Sequence, residues 1–130
     1  MKSRIKQLLF FILIALLAPP ASAGSLDDIL ALETAPQGVV IETLEADEYD
    51  LIDLLPKIKS AAEKLRARFP GLAIALVSHG REQFALTKQN REKHKVSHKG
   101  IQQLVADNVE VHVCGTHAGW YDIDPEDYPD

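Results

Sequence analysis

The chain has 130 residues, 19 of them acidic and 14 basic, and its formal net charge is −5. This length allows one small domain with a single hydrophobic core. The negative charge argues against nucleic acid or anionic lipid as a partner.

The first 23 residues have the pattern of a secretory signal peptide. Three basic residues in MKSRIKQ precede an apolar run from Leu8 to Ala18, and the small-residue sequence ASA ends at Ala23. The apolar run is short for a bilayer span, which takes about 20 residues. We therefore expect export to the periplasm and cleavage after Ala23. A single domain over residues 24–130 would then have no membrane contact.

The region after the signal peptide begins with a weakly amphipathic stretch, residues 25–37, for which a short helix or an ordered tail is expected. The β-branched run GVVIETLEA predicts the first strand. Apolar residues then recur at helical spacing as far as Phe69. They predict a regular helix from about Asp53 to the stop at Pro70-Gly71, with Pro56 in its first turn.

A second strand is predicted over residues 72–80, because its near-continuous apolar run is typical of a strand covered on both faces. Residues 81–87 predict a short helix, and the basic residues 88–95 predict a solvated helix face or loop. A second helical stripe ends at Asp107-Asn108, and residues 109–115 predict the third strand. This β-α-β-α-β order predicts a parallel sheet with right-handed crossovers.

Two of the predicted strands end on chemically active residues. The second strand ends Ser78-His79-Gly80, and the third ends with the only cysteine, Cys114, followed by glycine. In an exported chain a lone cysteine is buried, paired between chains, or free and reactive. If the two strands are neighbours with level glycines, His79 and Cys114 lie together at the carboxyl edge, where chemistry collects in parallel sheets. His79 would then favour the thiolate form of Cys114.

The residues around Cys114 give further expectations. The backbone N–H groups of Thr116 and His117 would add hydrogen-bond donors to the sulfur if the turn is tight, and the His117 ring would supply a second imidazole. His112 shares a face with Cys114 and is expected to lie under a helix, because side chains alternate along a strand. Trp120 is expected to close the local core.

Two alternatives to a working thiol remain open at this point. Cys114 is a packed core residue in the first, as unpaired cysteines often are. In the second, His112, Cys114 and His117 hold copper or zinc, since all three are nitrogen or sulfur ligands. Their spacing, H-x-C-x-x-H, matches none of the common zinc patterns.

The blocks VSHG, VADNVEVHVCG and THAGWYDIDPEDYPD, in this β-α-β-α-β order, resemble the DsrE/DsrF-like family, and more narrowly its exported members. The match covers about Val39 to Asp130. It implies a flavodoxin-like three-layer α/β/α fold with a mainly parallel sheet, and association into trimers or hexamers. Family members usually continue with another strand and helix, which a chain ending at Asp130 would lack.

The resemblance also implies a function in sulfur relay or sulfur oxidation. In sulfur-carrying members, the cysteine at the position of Cys114 accepts sulfane sulfur as a persulfide, so only Cys114 is carried over from the family. We therefore expect a periplasmic sulfur-handling protein that needs no cofactor and exchanges sulfur with a donor or acceptor protein. It would act more as a stoichiometric carrier than as an enzyme. The alternative is an oligomeric binding or assembly module in which Cys114 is buried.

Overall fold

The computed structural model of the protein describes residues 23–129, so the predicted signal peptide lies almost entirely outside the described residues. Strands and α-helices alternate along this part of the chain, with 3-10 turns between them. The strands are β1 (Val39–Thr43), β2 (Ile74–Ser78) and β3 (Val109–Val113). The helices are α1 (Leu26–Leu30), α2 (Leu51–Arg68), α3 (Lys95–Ala106) and α4 (Gly115–Gly119). From residue 23 to residue 129, no helix combines the length and the apolar character needed to traverse a membrane.

The three strands form one parallel sheet in chain order, so each strand pairs with the next. The register places Thr43 level with Ser78, and Ser78 level with Val113. Parallel neighbours need a crossover, which α2 and α3 provide. The predicted α/β class is therefore confirmed, as a parallel sheet of the flavodoxin-like kind with helices packed around it.

The hydrophobic core lies between the sheet and the helices α2 and α3. β2 buries Ile74 and Leu76, and its neighbours bury Val39 and Val109. Helix α2 contributes an apolar stripe whose members recur every three or four residues: Leu51, Leu55, Ile58, Ala62 and Leu65. Each large aliphatic side chain contributes roughly 2 kcal/mol when it is buried. These contacts therefore fix which face of the sheet is covered.

The opposite face of the sheet is more open in the described part of the chain. Val40 of β1 is 59% exposed, and the side chains of Glu42 and His112 are also exposed. Ala75 and Val77 of the central strand are only partly buried. The apolar run of the second strand predicted that both of its faces would be covered. In the structure only one face of this strand is fully buried.

Helix α2 begins at Leu51 rather than near Asp53, so the prediction that Pro56 lies in its first turn is wrong. A 3-10 turn over Glu48–Asp50 leads directly into the helix. Pro56 has no N–H to donate, which leaves the carbonyl of Ile52 without its helical partner. Both residues lie on the exposed side of α2, where water can bond this carbonyl.

Substituting Gly71, which stands just beyond α2, should destabilise the fold modestly. Its φ is +78°, and a Cβ there would meet no atom within 4 Å, so Gly71→Ala adds backbone strain without a clash. We expect the free energy of unfolding to fall by about 1 kcal/mol. Urea denaturation followed by circular dichroism measures this. Gly119→Ala, at a glycine without a positive φ and with equally open space, should cost nothing, and an equal loss in both variants would contradict the account.

Candidate functional site

His79 and Cys114 lie side by side at the carboxyl edge of the sheet. They directly follow β2 and β3, whose last residues, Ser78 and Val113, are level in the register. The N–H of Cys114 continues the ladder by donating to the Ser78 carbonyl at 2.9 Å. The side chains of His79 and Cys114 lie close enough for each to shift the pKa of the other. The proximity predicted from the two strand ends is therefore confirmed.

Backbone N–H groups also point at the Cys114 sulfur. Cys114 is the N-cap residue of α4, and its Sγ accepts a hydrogen bond from the N–H of His117 at 3.5 Å. The pKa of the Cys114 thiol is lowered first by this N–H and then by His79, while desolvation acts in the opposite direction and the N–H of Thr116 adds a smaller lowering. Each of these donors favours the thiolate. The space beside Gly115 is empty, so a reactant can approach from that side.

A carboxylate completes a row of side chains contributed by three successive strands. Glu42 of β1 places its Oε1 3.4 Å from the Nε2 of His79. The pKa of His79 is raised, first by its hydrogen bond to Cys114 and more weakly by Glu42, while desolvation acts in the opposite direction. A thiol, an imidazole and an orienting carboxylate form an arrangement that activates a nucleophile. Because the side chains of Glu42 and His79 are 70% and 39% exposed, the carboxylate contributes orientation more than Coulomb energy.

The ring of His117 contacts groups other than the sulfur. Its Nδ1 is 3.1 Å from the amide nitrogen of Gln83, which also donates to the Gly80 carbonyl at 2.9 Å. That nitrogen is a donor, so the neutral His117 ring carries its proton on Nε2. The ring also meets Trp120 and Tyr121 edge-on, at centroid distances of 5.7 and 5.3 Å. His117 thus contacts the Cys114 sulfur through its backbone N–H. Its ring, which was predicted to supply a second imidazole, is not among the groups that contact the sulfur.

The core position beside α4 is not filled by Trp120, whose side chain is 75% exposed, so that expectation is wrong. Ala118 of α4 and Tyr128 are buried in the core instead. The pKa of Tyr128 is raised to about 12, first by burial and then by the charges of Asp127 and Cys114. The Tyr128 hydroxyl therefore stays protonated at neutral pH.

A buried carboxylate ties together the ends of β1 and β2 beneath this site. Glu82 is fully buried. Its Oε1 accepts from the hydroxyls of Thr43 at 2.8 Å and Ser78 at 2.6 Å and from the N–H of Gly80 at 3.2 Å, and its Oε2 accepts from the N–H of Glu45 at 2.8 Å. Burial alone would raise the pKa of Glu82, but these donors outweigh burial and lower the pKa.

The contacts of Glu82 leave room only for glycine at position 80. A Cβ on Gly80 would lie 2.2 Å from the Glu82 Oε2 and 2.4 Å from the backbone nitrogen and oxygen of Glu45. Gly80 directly follows His79, whose own N–H donates to the Thr43 carbonyl at 2.9 Å. This close packing fixes the backbone that carries the imidazole.

His112 lies on the open face of the sheet rather than under a helix, so that prediction is wrong. It does share a face with Cys114 by strand alternation, but this is the face on which Val40 and Glu42 are exposed. Its side chain is 57% exposed, and its Nε2 is 3.4 Å from the carboxylate of Glu110. Over residues 23–129, no three His, Cys, Asp or Glu side chains are grouped so as to hold a metal ion. The geometry therefore does not support the copper or zinc alternative at His112, Cys114 and His117.

Sequence reasoning did not identify three contributors to the site: Glu42, Glu82 and Gln83. The alternation of β1 places Glu42 on the face opposite to the buried Thr43, but its position beside His79 depends on a register that one strand alone does not reveal. Glu82 and Gln83 lie in the sequence REQFAL, whose first three residues are charged or polar. Such residues are usually exposed, so the sequence does not indicate that both side chains are fully buried.

The site as a whole presents a partly exposed thiol between an imidazole and backbone donors. The alternative of a Cys114 packed inside the core does not agree with this exposure. The arrangement suits a nucleophilic thiolate that acts at the surface. In comparisons with known proteins, no family model, no curated protein and no solved structure matches the chain.

Proposed function

We propose that the protein is a periplasmic sulfur handler in which Cys114 carries sulfane sulfur as a persulfide. The main support is the environment of its Sγ: Cys114 is partly exposed, its Sγ accepts a hydrogen bond from the N–H of His117, and the nearby His79 side chain lowers its pKa. A sulfur carrier needs a thiol that is ionised near neutral pH and that a donor can reach. The lowered pKa of the Cys114 thiol and its partial exposure agree with these two requirements.

Loading follows the chemistry of thiol–disulfide exchange. The Cys114 thiolate attacks the terminal sulfur of a donor persulfide, R–S–SH, so that a new S–S bond forms as the donor S–S bond breaks. The inner sulfur of the donor leaves with the bonding electron pair as R–S⁻ and takes up a proton. Delivery repeats the exchange, with an acceptor thiolate attacking the outer sulfur and Cys114 leaving as a thiolate. The transferred sulfur keeps its oxidation state, so neither step requires an oxidant or a cofactor.

His79 serves both directions of this exchange. As an imidazolium it stabilises the Cys114 thiolate before attack, and it is placed to give its proton to the departing R–S⁻. Glu42 orients the ring through its contact with Nε2. When the persulfide is delivered, the same donors stabilise Cys114 as the leaving group. The site thus favours the thiolate form at the start and at the end of each cycle.

The proposal extends to family, location and partners. Membership of the DsrE/DsrF-like family is supported by the parallel α/β fold and by the cysteine at the end of the third strand, within VHVCGTHAGW. Export is supported by the basic, apolar and small-residue pattern of residues 1–23. The protein would act as a homo-oligomeric, stoichiometric carrier between a donor and an acceptor protein.

Incubation with a polysulfide or persulfide donor should add about one sulfur atom to the native protein. Intact-mass spectrometry measures this gain, and a phosphine or thiol reductant should remove it. Cys114→Ser should gain nothing, since serine forms no persulfide under these conditions. His112→Ala provides a matched control, because His112 lies on the same face but does not contact the sulfur.

Two results would contradict the proposal. The first is a native protein whose mass stays unchanged after exposure to the donor. The second is an equal mass gain in Cys114→Ser, which would show adventitious sulfur elsewhere on the chain.

A further inference from the structure

Helix α4, which supplies backbone donors to the Cys114 sulfur, has little in its own sequence to hold it in place. It is a helix of five residues, Gly115–Gly119, with a glycine at each end. Glycine and short length both weaken a helix. In the described part of the chain, a Cβ at either glycine would meet no atom within 4 Å, so there is open space beside both ends. The position of α4 therefore depends on the contacts of its other side chains.

Two side chains of α4 connect the helix to the rest of the domain. Ala118 is buried in the core, and the His117 ring places its Nδ1 3.1 Å from the amide nitrogen of Gln83. The N–H of the same His117 donates to the Cys114 Sγ across 3.5 Å. Because hydrogen bonds weaken steeply when the donor is misaligned, a small rotation of α4 would remove the donor that does most to lower the pKa of Cys114.

Gln83 is held firmly on the other side of this contact. It lies in the buried part of the 3-10 turn Arg81–Leu86, directly after Glu82, which four hydrogen bonds fix to the ends of β1 and β2 and the residues that follow them. The Gln83 amide nitrogen donates to the carbonyl of Gly80 at 2.9 Å, and Gly80 directly follows His79. One amide group thus joins the turn that carries His79 to helix α4.

Packing alone does not explain a glutamine at position 83. Its side chain is fully buried, and its Oε1 has no hydrogen-bond partner within residues 23–129. A buried carbonyl oxygen without a donor destabilises the folded state, and an apolar side chain of the same length would avoid this cost. The presence of glutamine is therefore explained by the two groups that its amide nitrogen connects.

We propose that Gln83 is a positioning residue for Cys114, whose amide fixes α4 to the turn after β2 so that the His79 side chain and the His117 N–H stay directed at the same sulfur. Such donors must be held within about 0.5 Å of their productive positions. Gln83 acts through the groups that contact the sulfur. The inference rests on the proposed function for its biological purpose, but it concerns the ionisation of the thiol and not the sulfur that the thiol would carry.

Gln83→Met, which keeps the length of the side chain but removes both hydrogen bonds, should slow iodoacetamide alkylation of Cys114 by about threefold in mildly acidic solution. Above the pKa of the thiol in both proteins the rates should agree, because the thiolate is then fully formed in each. Mass spectrometry of quenched samples gives the rates across pH 5 to 9, and urea denaturation gives the stability of each protein. Gln89→Met makes the same chemical change at an exposed position and should leave the profile in place.

His117→Phe is a second test, which does not depend on the folding of Gln83→Met. It keeps the backbone N–H and an aromatic ring beside Phe84, whose centroid lies 5.5 Å from that of His117, but it removes Nδ1. The profile should move in the same direction as in Gln83→Met, and no further. The double variant should match Gln83→Met alone, because the two substitutions break the same connection.

An unchanged profile in Gln83→Met, with or without a loss of stability, would overturn the proposal, as would an equal fall in rate at every pH. Additive shifts in the double variant would also contradict it. If Gln83→Met does not fold, an unchanged profile in His117→Phe is sufficient to reject the role of Gln83. A protein that shows the expected shifts but gains no sulfur from a persulfide donor would refute the proposed function and leave the role of Gln83 intact.

Discussion

Glu82→Gln should lower the free energy of unfolding by about 3 kcal/mol, the largest stability effect we expect from a single conservative substitution in this chain. The carboxylate accepts four hydrogen bonds without any contact to solvent. An amide of the same size has one oxygen and an NH₂ group. In either orientation the NH₂ faces a backbone N–H or a crowded set of donors, so a buried donor loses its partner.

The loss caused by Glu82→Gln should depend on pH in a defined direction. The pKa of Glu82 is lower in the folded protein than in the unfolded chain. Its contribution to stability is therefore complete above the unfolded pKa of about 4.3 and disappears as the pH falls through the lower folded value. The difference in stability between the two proteins should be constant from neutral pH to about 5 and should shrink in more acidic solution.

Urea denaturation at several pH values tests this expectation, with Glu92→Gln as the control. Glu92 carries the same side chain, but its side chain is 86% exposed and meets only Lys95, at 3.3 Å. The control substitution should change stability by less than about 0.5 kcal/mol. Equal effects of the two substitutions would show that the Glu82 hydrogen bonds do not hold β1 and β2 together.

His79→Ala should slow the reaction of Cys114 with alkylating or persulfide reagents by about tenfold in mildly acidic solution. The variant removes the side-chain hydrogen bond and the positive charge that lower the pKa of the thiol. Because the pKa of Cys114 rises when His79 is removed, a smaller fraction of the thiol is ionised in acidic solution. The backbone N–H of His117 remains, so part of the shift persists. Above both pKa values the two proteins should react at similar rates.

Rates of alkylation measured across pH 5 to 9, by mass spectrometry of quenched samples, distinguish this role from a structural one. The whole profile should move to higher pH in His79→Ala, while His112→Ala should leave the profile in place. A uniform drop in rate at every pH would indicate altered access to the sulfur. An unchanged profile would show that the His79 imidazole does not stabilise the thiolate.

The strand ends of this protein could be predicted because two elementary signals agree there. The apolar runs that form β2 and β3 stop at Ser78 and Val113, and parallel strands in chain order bring their ends level. The partnership of His79 and Cys114 follows from those two facts. The start of α2 could not be placed in the same way, because a 3-10 turn over Glu48–Asp50 continues the chain into the helix without a break in polarity.

Which face of the sheet is covered was not readable from the strands themselves. His112 and Glu42 lie on the open face, whereas residues one position away in the same strands contact the core. Assigning a face requires knowing where the crossover helices pack. Glu82 shows a different limit: it is a charged residue that is buried because four donors from two strands converge on it, and those strands meet only in the folded chain.

The most direct test of the account is the pH dependence of iodoacetamide alkylation of Cys114 in the native, unmodified protein. The contacts of the sulfur with His79 and with the N–H groups of His117 and Thr116 predict a midpoint clearly below the value of about 8.5 that is typical of a free cysteine. A midpoint at or above that value, or labelling that occurs only after denaturation, would contradict the claim that Cys114 is an accessible, stabilised thiolate.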